Sequence, residues 1–443
     1  MYLAVLDESC NLTHLVDDYI SVVWTERFHG YGDFKLIVPG TYENLQEYQL
    51  DYYLFTKDTN KLMIIEQVEM EAHYGESSTL TISGRSIESI LDRRVLHPYP
   101  VNDYTICAKH ESTNGIIRDV VKDMTNLLFK VDDSSHPRHV QGFRWYHPWD
   151  LPADILHGRD GNAMDIGSMR LGSNEAIRTS SGSHVENAGV YGEATWDQYI
   201  MQGSWYSLMQ DITDLNMSGW AIEFADNDPW YWYGYAYLGI NRTDSQSTNP
   251  PVTFSPSFEN LSKGTYLKSK VGTRTKIFSG LQQVHVTSGM EQEYMWQTDV
   301  NIQNESVRVG TNGLGLREGY LENPGVMTHN GYLATSRDSA RTGNTGVDPE
   351  AARRQLKDKC DTELWKHMPI QMYEGVAAVN SIYKYREDFF LGDFVQIENE
   401  YGQKDVARVT EYVRSSDVNG DTFYPTFSSL SDLQKSKPGL NIK

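Results

Sequence analysis

Between Leu391 and Ser428 the chain reads LGDFVQIENEYGQKDVARVTEYVRSSDVNGDTFYPTFS, three alternations of apolar and polar residues split by two turn signals. Val395 and Ile397 share one face of the first, with Phe394, Gln396 and Glu398 opposite. In the second, Ala407, Val409 and Val413 oppose Arg408, Thr410 and Arg414. Phe423, Tyr424 and Phe427 mark the third. A period of two belongs to strands with one covered face. Tyr401-Gly402 interrupts the pattern, and Asn419-Gly420 is a hairpin signal because both residues tolerate positive φ. Three strands in sequence predict a small antiparallel barrel or sandwich. Nothing in the stretch is catalytic.

The rest of the chain must build around that element. Its 443 residues suit about two to four domains. At 39% hydrophobic and 12% aromatic residues, it carries enough apolar material for packed cores. With 39 basic and 60 acidic residues, the formal charge is −21. Such a surface repels phosphate backbones and argues against gripping nucleic acid. It suits a surface along which a polyanion slides without sticking. Cys10, Cys107 and Cys360 are scattered and odd in number, which argues against a disulfide framework and for synthesis in a reducing cytosol. The opening MYLAVLDESC is too short and too acidic for a signal peptide, and no apolar run approaches the roughly 18 residues of a membrane span.

Residues 1–96 read as six or so short strands: Leu3–Leu6, Ser21–Arg27, Phe34–Val38, and a long hairpin of Leu62–Met70 with Thr79–Ser83 across Tyr74-Gly75. A short helix capped by Ser86 follows, burying Ile87, Ile90 and Leu91. Pro98 and Pro100 mark a boundary. Helices are predicted over Thr113–Thr125, Ser204–Leu215 and 349–367, the last with Asp348 as its cap and Pro349 at its first position. Residues 158–195 are rich in Gly, Ser and Asn and read as a long loop, and 290–345 read as irregular. The fold class is α+β, mainly β. Six or so short strands followed by a closing helix suit a small barrel over 1–96. An irregular segment with its helix fills 291–369, and 429–443 form a tail.

Signatures of catalysis are missing. There is no GxSxG, HExxH, P-loop or dinucleotide fingerprint, and Gly313-Leu-Gly315 has no third glycine in place. Paired carboxylates (Asp17/Asp18, Asp132/Asp133, Glu398/Glu400) resemble a glycosidase pair only as chance allows among 60 acidic residues. The loop Asp417-x-Asn419-Gly-Asp421 lacks the downstream Glu of a calcium site. Cys107-x-x-His110 and His136-x-x-His139 have zinc-ligand spacing, with His147 nearby. Among 13 histidines the simpler reading is hydrogen-bonded or solvent-facing side chains, so no metal or cofactor is assigned. The run Trp230-Tyr-Trp-Tyr-Gly-Tyr-Ala-Tyr237 is the most unusual local feature. On a strand it is either a core buried on both faces or a surface that takes a subunit or a glycan. Trp230, Trp232, Tyr233 and Tyr235 are therefore interface candidates, as are Trp145 and Trp149 of the loop FRWYHPWD.

Three stretches resemble the siphophage Gp37-like tail protein family. The first runs from Asp18-Tyr-Ile through Trp24-Thr-Glu-Arg to Gly32-Asp-Phe-Lys-Leu-Ile-Val-Pro39. The second is Ile64-Ile-Glu66 with Leu80-Thr-Ile-Ser-Gly-Arg-Ser86 and Ile90-Leu-Asp-Arg-Arg94. The third is Tyr385-x-x-Asp388-Phe389-x-Leu391-Gly392-Asp393-x-Val395, with Ala407-Arg-Val-Thr-Glu411 and Tyr424-Pro-Thr-Phe427. The resemblance implies a tail hub of the tail-associated, gp27-like kind: two tube-like β-barrels flanking an α/β region. It implies a first barrel at 1–96, an α/β domain at 97–264 with a loop-rich insertion near 130–200, and a discontinuous second barrel at 265–290 and 370–428. It also implies a homotrimer whose six barrels form a pseudo-hexameric ring. That ring would dock on a hexameric distal tail protein, near the tape measure protein and a tail-tip fibre or spike. It would pass sixfold tube symmetry to a threefold tip and let phage DNA through without binding it specifically. The implied location is the virion tail tip, after synthesis in the host cytoplasm. Two rivals from other classes are a tail-tip enzyme cutting cell-wall glycan or peptidoglycan, and a carbohydrate-binding receptor module. The chain ends soon after Phe427, which leaves the enzyme only 130–345 in which to sit.

Overall fold

The computed structural model describes residues 1–72, 77–96, 109–112, 117–147, 150–151, 176–183, 195–201, 203–215, 218–225, 228–284, 301–307, 312–321, 326–327, 333–334, 340–341, 356–357, 360–361, 363–364, 367, 369–377 and 381–428. The chain is mainly β with a few short helices. Among the described residues fourteen strands form one sheet. The N-terminal seven are β1 (Leu3–Leu6), β2 (Leu12–Val16), β3 (Ser21–Arg27), β4 (Asp33–Pro39), β5 (Tyr53–Thr56), β6 (Leu62–Glu71) and β7 (Thr79–Ser86). Then come β8 (Asn241–Arg242), β9 (Thr253–Phe254), β10 (Leu261–Ser269), β11 (Ile370–Ala377), β12 (Phe394–Glu398), β13 (Lys404–Asp417) and β14 (Gly420–Ser428). The order is β10-β11-β14-β13-β3-β4-β7-β6-β5-β1-β2, with β12 against β13 and both β8 and β9 against β12.

Two separate barrels were expected, yet their strands share this sheet. The join is β3 beside β13, with Glu411 opposite Arg27 and Ser416 opposite Val22. At 14 residues, β13 is long enough to serve two neighbours along one edge: its first part pairs with β12 and its later part with β3. Among the described pairings the path does not close, because β2 pairs only with β1 and β10 only with β11. The segment 265–290, expected whole in the second barrel, divides: β10 lies in the main sheet and Lys276–Val284 in another, between Asn301–Val307 and Glu318–Tyr320.

The alternation of β13 changes face part-way. Ala407 and Val409 are buried as expected, but a bulge between Val409 and Glu411 resets the pattern. Beyond it Tyr412, Arg414 and Ser416 point inward and Val413 is only half-buried. One extra residue in a strand of period two inverts every later side chain. The hairpin to β14 turns at Val418-Asn419, one residue earlier than the sequence signal, with Gly420 at φ +113 opening the return strand. β2, β5 and the helix α1 (Tyr42–Glu47) carry no signal picked out in the sequence; α1 is capped by Thr41, whose Oγ1 accepts from the Asn44 N–H at 3.1 Å.

Ser86 sits at the cap position of a 3₁₀ helix over Ile87–Arg93, but its side chain serves elsewhere: Ser86 Oγ accepts from Gly32 N–H at 2.7 Å. That helix packs Ile87, Ile90 and Leu91 against helices α2 (Ile117–Leu128) and α3 (Trp205–Leu215), which supply Val121, Met124, Leu128, Trp205, Leu208 and Ile212. Part of the presumed loop 158–195 is strand: Ala176–Ser183 pairs with Thr195–Met201, which also pairs with Lys109–Ser112. The presumed irregular stretch likewise contains Asn301–Val307. Of the C-terminal helix, Leu356, Lys357, Cys360, Asp361, Glu363 and Leu364 are helical; Leu356 is buried, and Cys360 and Leu364 pack on Ile277. Its expected cap at Asp348 lies outside the described residues, as do the Tyr74-Gly75 turn and the tail from 429.

The aromatic strand, Asp228–Tyr237, lies between Gly219–Ala225 and Phe143–Trp145 in a three-stranded sheet buried on both faces. Trp232 and Ala236 join the core under α2 and α3. Tyr235 and Tyr237 join the core beneath β12 and β13, with Phe28, Phe254, Phe389, Val395 and Phe427. A third core, built on Val22, Trp24, Leu36, Leu54, Ile65 and Ile82, fills the N-terminal part of the main sheet. Burying an aromatic or branched side chain of this kind stabilises by about 1.5–3 kcal/mol.

Candidate functional site: the seam joining the two ends of the chain

Where β3 meets β13, charged residues sit inside the protein. Glu26 on β3 is 1% exposed and Arg414 on β13 is 4% exposed. Arg414 Nη1 donates to Glu26 Oε1 at 2.5 Å, and its Nη2 donates to the Asp58 carbonyl at 2.9 Å. Tyr385 Oη donates to the other oxygen, Glu26 Oε2, at 3.1 Å. The guanidinium also lies over the rings of Tyr412 and Tyr385, which stack on one another at 4.0 Å between centroids. Arg414 is thereby satisfied by a carboxylate, a carbonyl and two π faces. Burial alone would raise the Glu26 carboxyl. Arg414, Lys61, Arg386 and the Tyr385 hydroxyl overcome that and hold it below the ordinary carboxylate value. Burial likewise works against the Arg414 charge, and Glu26 reverses it, so its guanidinium is held above the usual value.

A second pair lies behind the first. Lys61, just before β6, is 3% exposed and bridges to Glu88 of the 3₁₀ helix, which is fully buried. Glu88 Oε1 also accepts from the Ile222 N–H at 3.3 Å, which ties the aromatic sheet to the same point. Burial opposes the Lys61 ammonium, but Glu88 and Glu26 raise its pKa above the ordinary value. Tyr235 Oη donates to buried Glu223 Oε2 at 3.1 Å.

A third pair fixes β12. Asp393 accepts from the Ile240 N–H at 2.8 Å, the Phe390 N–H at 3.0 Å and Arg242 Nε at 2.6 Å. Desolvation nevertheless dominates and raises its pKa. Gly392, at φ +89, makes this turn possible, since a Cβ there would stand 2.3 Å from Phe28 Cε2. Arg408 lies between the Phe28 and Phe394 rings, and its burial pulls the guanidinium down to about 10.

At the rim, Arg27 bridges Asp33 at 2.6 Å and Glu411 at 2.9 Å, and Thr426 Oγ1 donates to Glu411 at 3.2 Å. Arg85 forks onto Glu66 at 2.6 and 2.8 Å. These half-exposed pairs orient strands and contribute little energy each. The assembled seam holds no exposed nucleophile beside a base. It can carry load between distant parts of the chain.

Part of the seam falls in the three sequence stretches, namely Glu26, Arg27, Gly32, Glu66, Arg85, Ser86, Tyr385, Gly392, Asp393, Arg408 and Glu411, whereas Lys61, Glu88, Arg242 and Arg414 lie outside them. The family described as Siphovirus ReqiPepy6 Gp37-like protein matches residues 2–427. The chain belongs to this family.

Among solved structures, the 43 kDa tail protein of prophage MuSo2 from Shewanella oneidensis is 10% identical, with 98% of this chain and 100% of that chain covered and a TM-score of 0.51. Prophage tail protein gp18 from Listeria monocytogenes EGD-e is also 10% identical, covering 97% and 95%, at 0.47. The tail protein from Neisseria meningitidis MC58 is 8% identical, covering 98% of each, at 0.46. The MuSo2 likeness is one of fold. No curated protein sequence matches the chain.

In this Gp37-like chain the aromatic candidates do not form a surface. Trp145, Trp232 and Tyr235 are buried, and Tyr233 is half-buried against the second core. Burial of Trp145, Trp232 and Tyr235 fits the core reading of the run and not the reading of these residues as an interface. Tyr231, at 50%, is the exposed ring of the strand among its described side chains. Trp149 and the Trp230 side chain lie outside the described residues.

Of the candidate ligands, His136 and His139 have described side chains, and each meets a backbone group. His139 Nδ1 pairs with the Lys130 carbonyl at 2.9 Å, and His136 Nδ1 accepts from the Arg138 N–H at 3.1 Å. Cys107 and the His110 side chain lie outside the described residues. Among the described residues no group of three or more His, Cys, Asp or Glu side chains has metal-site geometry, and no helix is long and apolar enough to cross a membrane.

The seam itself was missed by sequence reasoning. Its signal was a charge inside each apolar pattern: Glu26 after Val22-Val-Trp24, Lys61 before Leu62-Met-Ile-Ile65, and Glu88 between Ile87 and Ile90.

Proposed function

We propose that this Gp37-like protein is a structural subunit of a siphophage tail tip, a hub that assembles as a homotrimer and works by conformation, not catalysis. The observation that carries the reading is the family match over residues 2–427, which takes in the main sheet up to its last residue and every residue of the seam. The MuSo2 protein of like fold is itself described as a tail protein. The hub docks on a hexameric distal tail protein, converts sixfold to threefold symmetry, and leaves room for DNA. Its formal charge of −21 suits a channel that does not hold phosphate. A sheet that binds N-terminal strands to C-terminal ones suits a ring segment that must stay whole under load. Light scattering and electron microscopy of the purified chain test this. A three-lobed ring that captures the distal tail protein is expected. A chain that stays monomeric at tens of micromolar, and ignores the distal tail ring, overturns it.

A further inference from the structure

Two turns stand side by side at one end of the smaller sheet that holds Lys276–Val284. The first follows β10 and carries Gly272 at φ +67; the second, over Gly313–Gly315, carries Gly313 at φ +55. A Cβ at either glycine would meet nothing within 4 Å, so both turns project into open space. Hydrogen bonds hold them together. Arg317 Nη1 donates to the Lys270 carbonyl at 2.6 Å, the Arg317 N–H donates to Thr275 Oγ1 at 2.8 Å, and the Thr275 N–H donates to the Arg317 carbonyl at 2.8 Å. His367 braces the first turn: its Nδ1 donates to the Gly272 carbonyl at 2.8 Å, and its carbonyl accepts from the Arg274 N–H at 3.0 Å. These ties make the two turns one projecting tip.

The side chains of the tip are apolar and basic. Leu314 is wholly exposed, Val271 is 56% exposed, and Leu316 is exposed beside them. Val307, opposite Lys276 at the same end of the sheet, is 47% exposed. Over 269–276 and 312–318 stand Lys270, Arg274, Lys276 and Arg317 against Glu318, in a chain of net charge −21. Lys270 and Arg274 are exposed, and neither joins an ion pair among the described residues. Arg274 lays its stem along Gly319, where a Cβ would stand 3.4 Å from its Cδ, which keeps its charge beside the second turn. A stable protein contact needs a broad, well-packed patch. The tip instead raises aliphatic side chains on two narrow turns within a collar of cations. That arrangement complements a layer with anionic groups outside and hydrocarbon beneath.

We infer that this tip docks on an anionic lipid surface, with Leu314 and Val271 entering the apolar layer and Lys270 and Arg274 meeting the headgroup phosphates. Each cation close to such a surface adds attraction, and each inserted aliphatic side chain adds apolar burial. The acidic remainder of the chain repels an anionic membrane, but that repulsion fades over a Debye length of about 8 Å at physiological salt, and the tip projects ahead of it. The contact is peripheral. It goes beyond the hub reading and does not depend on copies joining.

Co-sedimentation of the full chain with vesicles tests it. Vesicles of equal parts phosphatidylglycerol and phosphatidylcholine are expected to take up at least tenfold more protein than vesicles of phosphatidylcholine alone, and 0.5 M salt is expected to reduce that uptake about tenfold. Lys270→Gln with Arg274→Gln, and separately Leu314→Asn, should each lower uptake about tenfold at an unchanged melting temperature. Leu314→Trp should keep uptake and add a ring whose fluorescence brominated acyl chains quench beyond the wild-type level. Absence of uptake by the anionic vesicles overturns the inference. So does uptake that the charge and Leu314→Asn variants leave intact, because the chain then binds elsewhere. If those variants bind vesicles like the wild type but lose self-association in light scattering, the tip is a contact between copies and the lipid reading is wrong.

Discussion

Removing Arg414 should loosen the chain at its seam by an amount that the geometry sets. In Arg414→Met the stem is replaced by a chain of similar shape, so packing against Tyr412 and Tyr385 is largely kept. Glu26 is left 1% exposed, without its 2.5 Å partner. Stripping one member from a buried pair costs about 3–5 kcal/mol. Tyr385 still donates to Glu26 and Lys61 still lies near, so the low end, about 3 kcal/mol, is expected here. Glu26→Gln should be milder, about 1–2 kcal/mol, because a glutamine oxygen still accepts from Arg414. In Glu26→Leu with Arg414→Met no charge is stranded, and the double variant should be far more stable than the sum of its single changes. The assay is urea unfolding followed by tryptophan fluorescence, with buried Trp24 on β3 beside the pair. At unchanged slope, 3 kcal/mol moves the midpoint by roughly 1 M. If Arg414→Met costs under about 1 kcal/mol, or the two changes simply add, the pair is not the buried and coupled unit described.

Gly392→Ala should destabilise by at least about 1–3 kcal/mol, since φ +89 and the Phe28 ring both oppose a Cβ; thermal unfolding measures it. Tyr235→Phe, which removes a donor from buried Glu223, should cost about 1–3 kcal/mol by urea titration without altering secondary structure by circular dichroism. Acid should act through Glu26: its folded pKa is depressed, so its contribution is whole above the ordinary value of 4.5 and is lost as pH falls through the lower folded value. Asp393 has the opposite sign, its folded pKa being raised, so protonation favours the folded state; Asp393→Asn should therefore leave the acid limb of a stability–pH curve in place, whereas Glu26→Gln should flatten it.

The sequence showed local order well. The period-two pattern placed β12, β13 and β14, and the amphipathic stripes placed α2 and α3, because these elements depend on residues near one another in the chain. The aromatic run allowed two readings, a core or a contact surface; alternation put Trp232 and Tyr235 on opposite faces, and they lie in two different cores. What eluded it was set at long range. No periodicity announces that β3 lies beside β13, nearly the whole chain away. The bulge after Val409 adds one residue to a pattern of period two, and a window on one strand cannot see the partner that defines it. So Arg414, assigned to the solvent face, turned out to be the centre of the seam.

The seam also brings residues from both ends of the chain into one set of contacts. Glu26 has no reason to sit in an apolar strand unless Arg414 faces it, and Arg414 faces it only because the bulge inverts β13. Gly392 must be glycine for Asp393 to reach the Ile240 and Phe390 N–H groups, and the same glycine makes room for Phe28, which directly follows β3. Each motif is the complement of another and not a site in itself. A replacement at one end then has its natural compensation at the other, which a ligand-binding site would not require. The Glu26–Arg414 cycle measures that coupling directly.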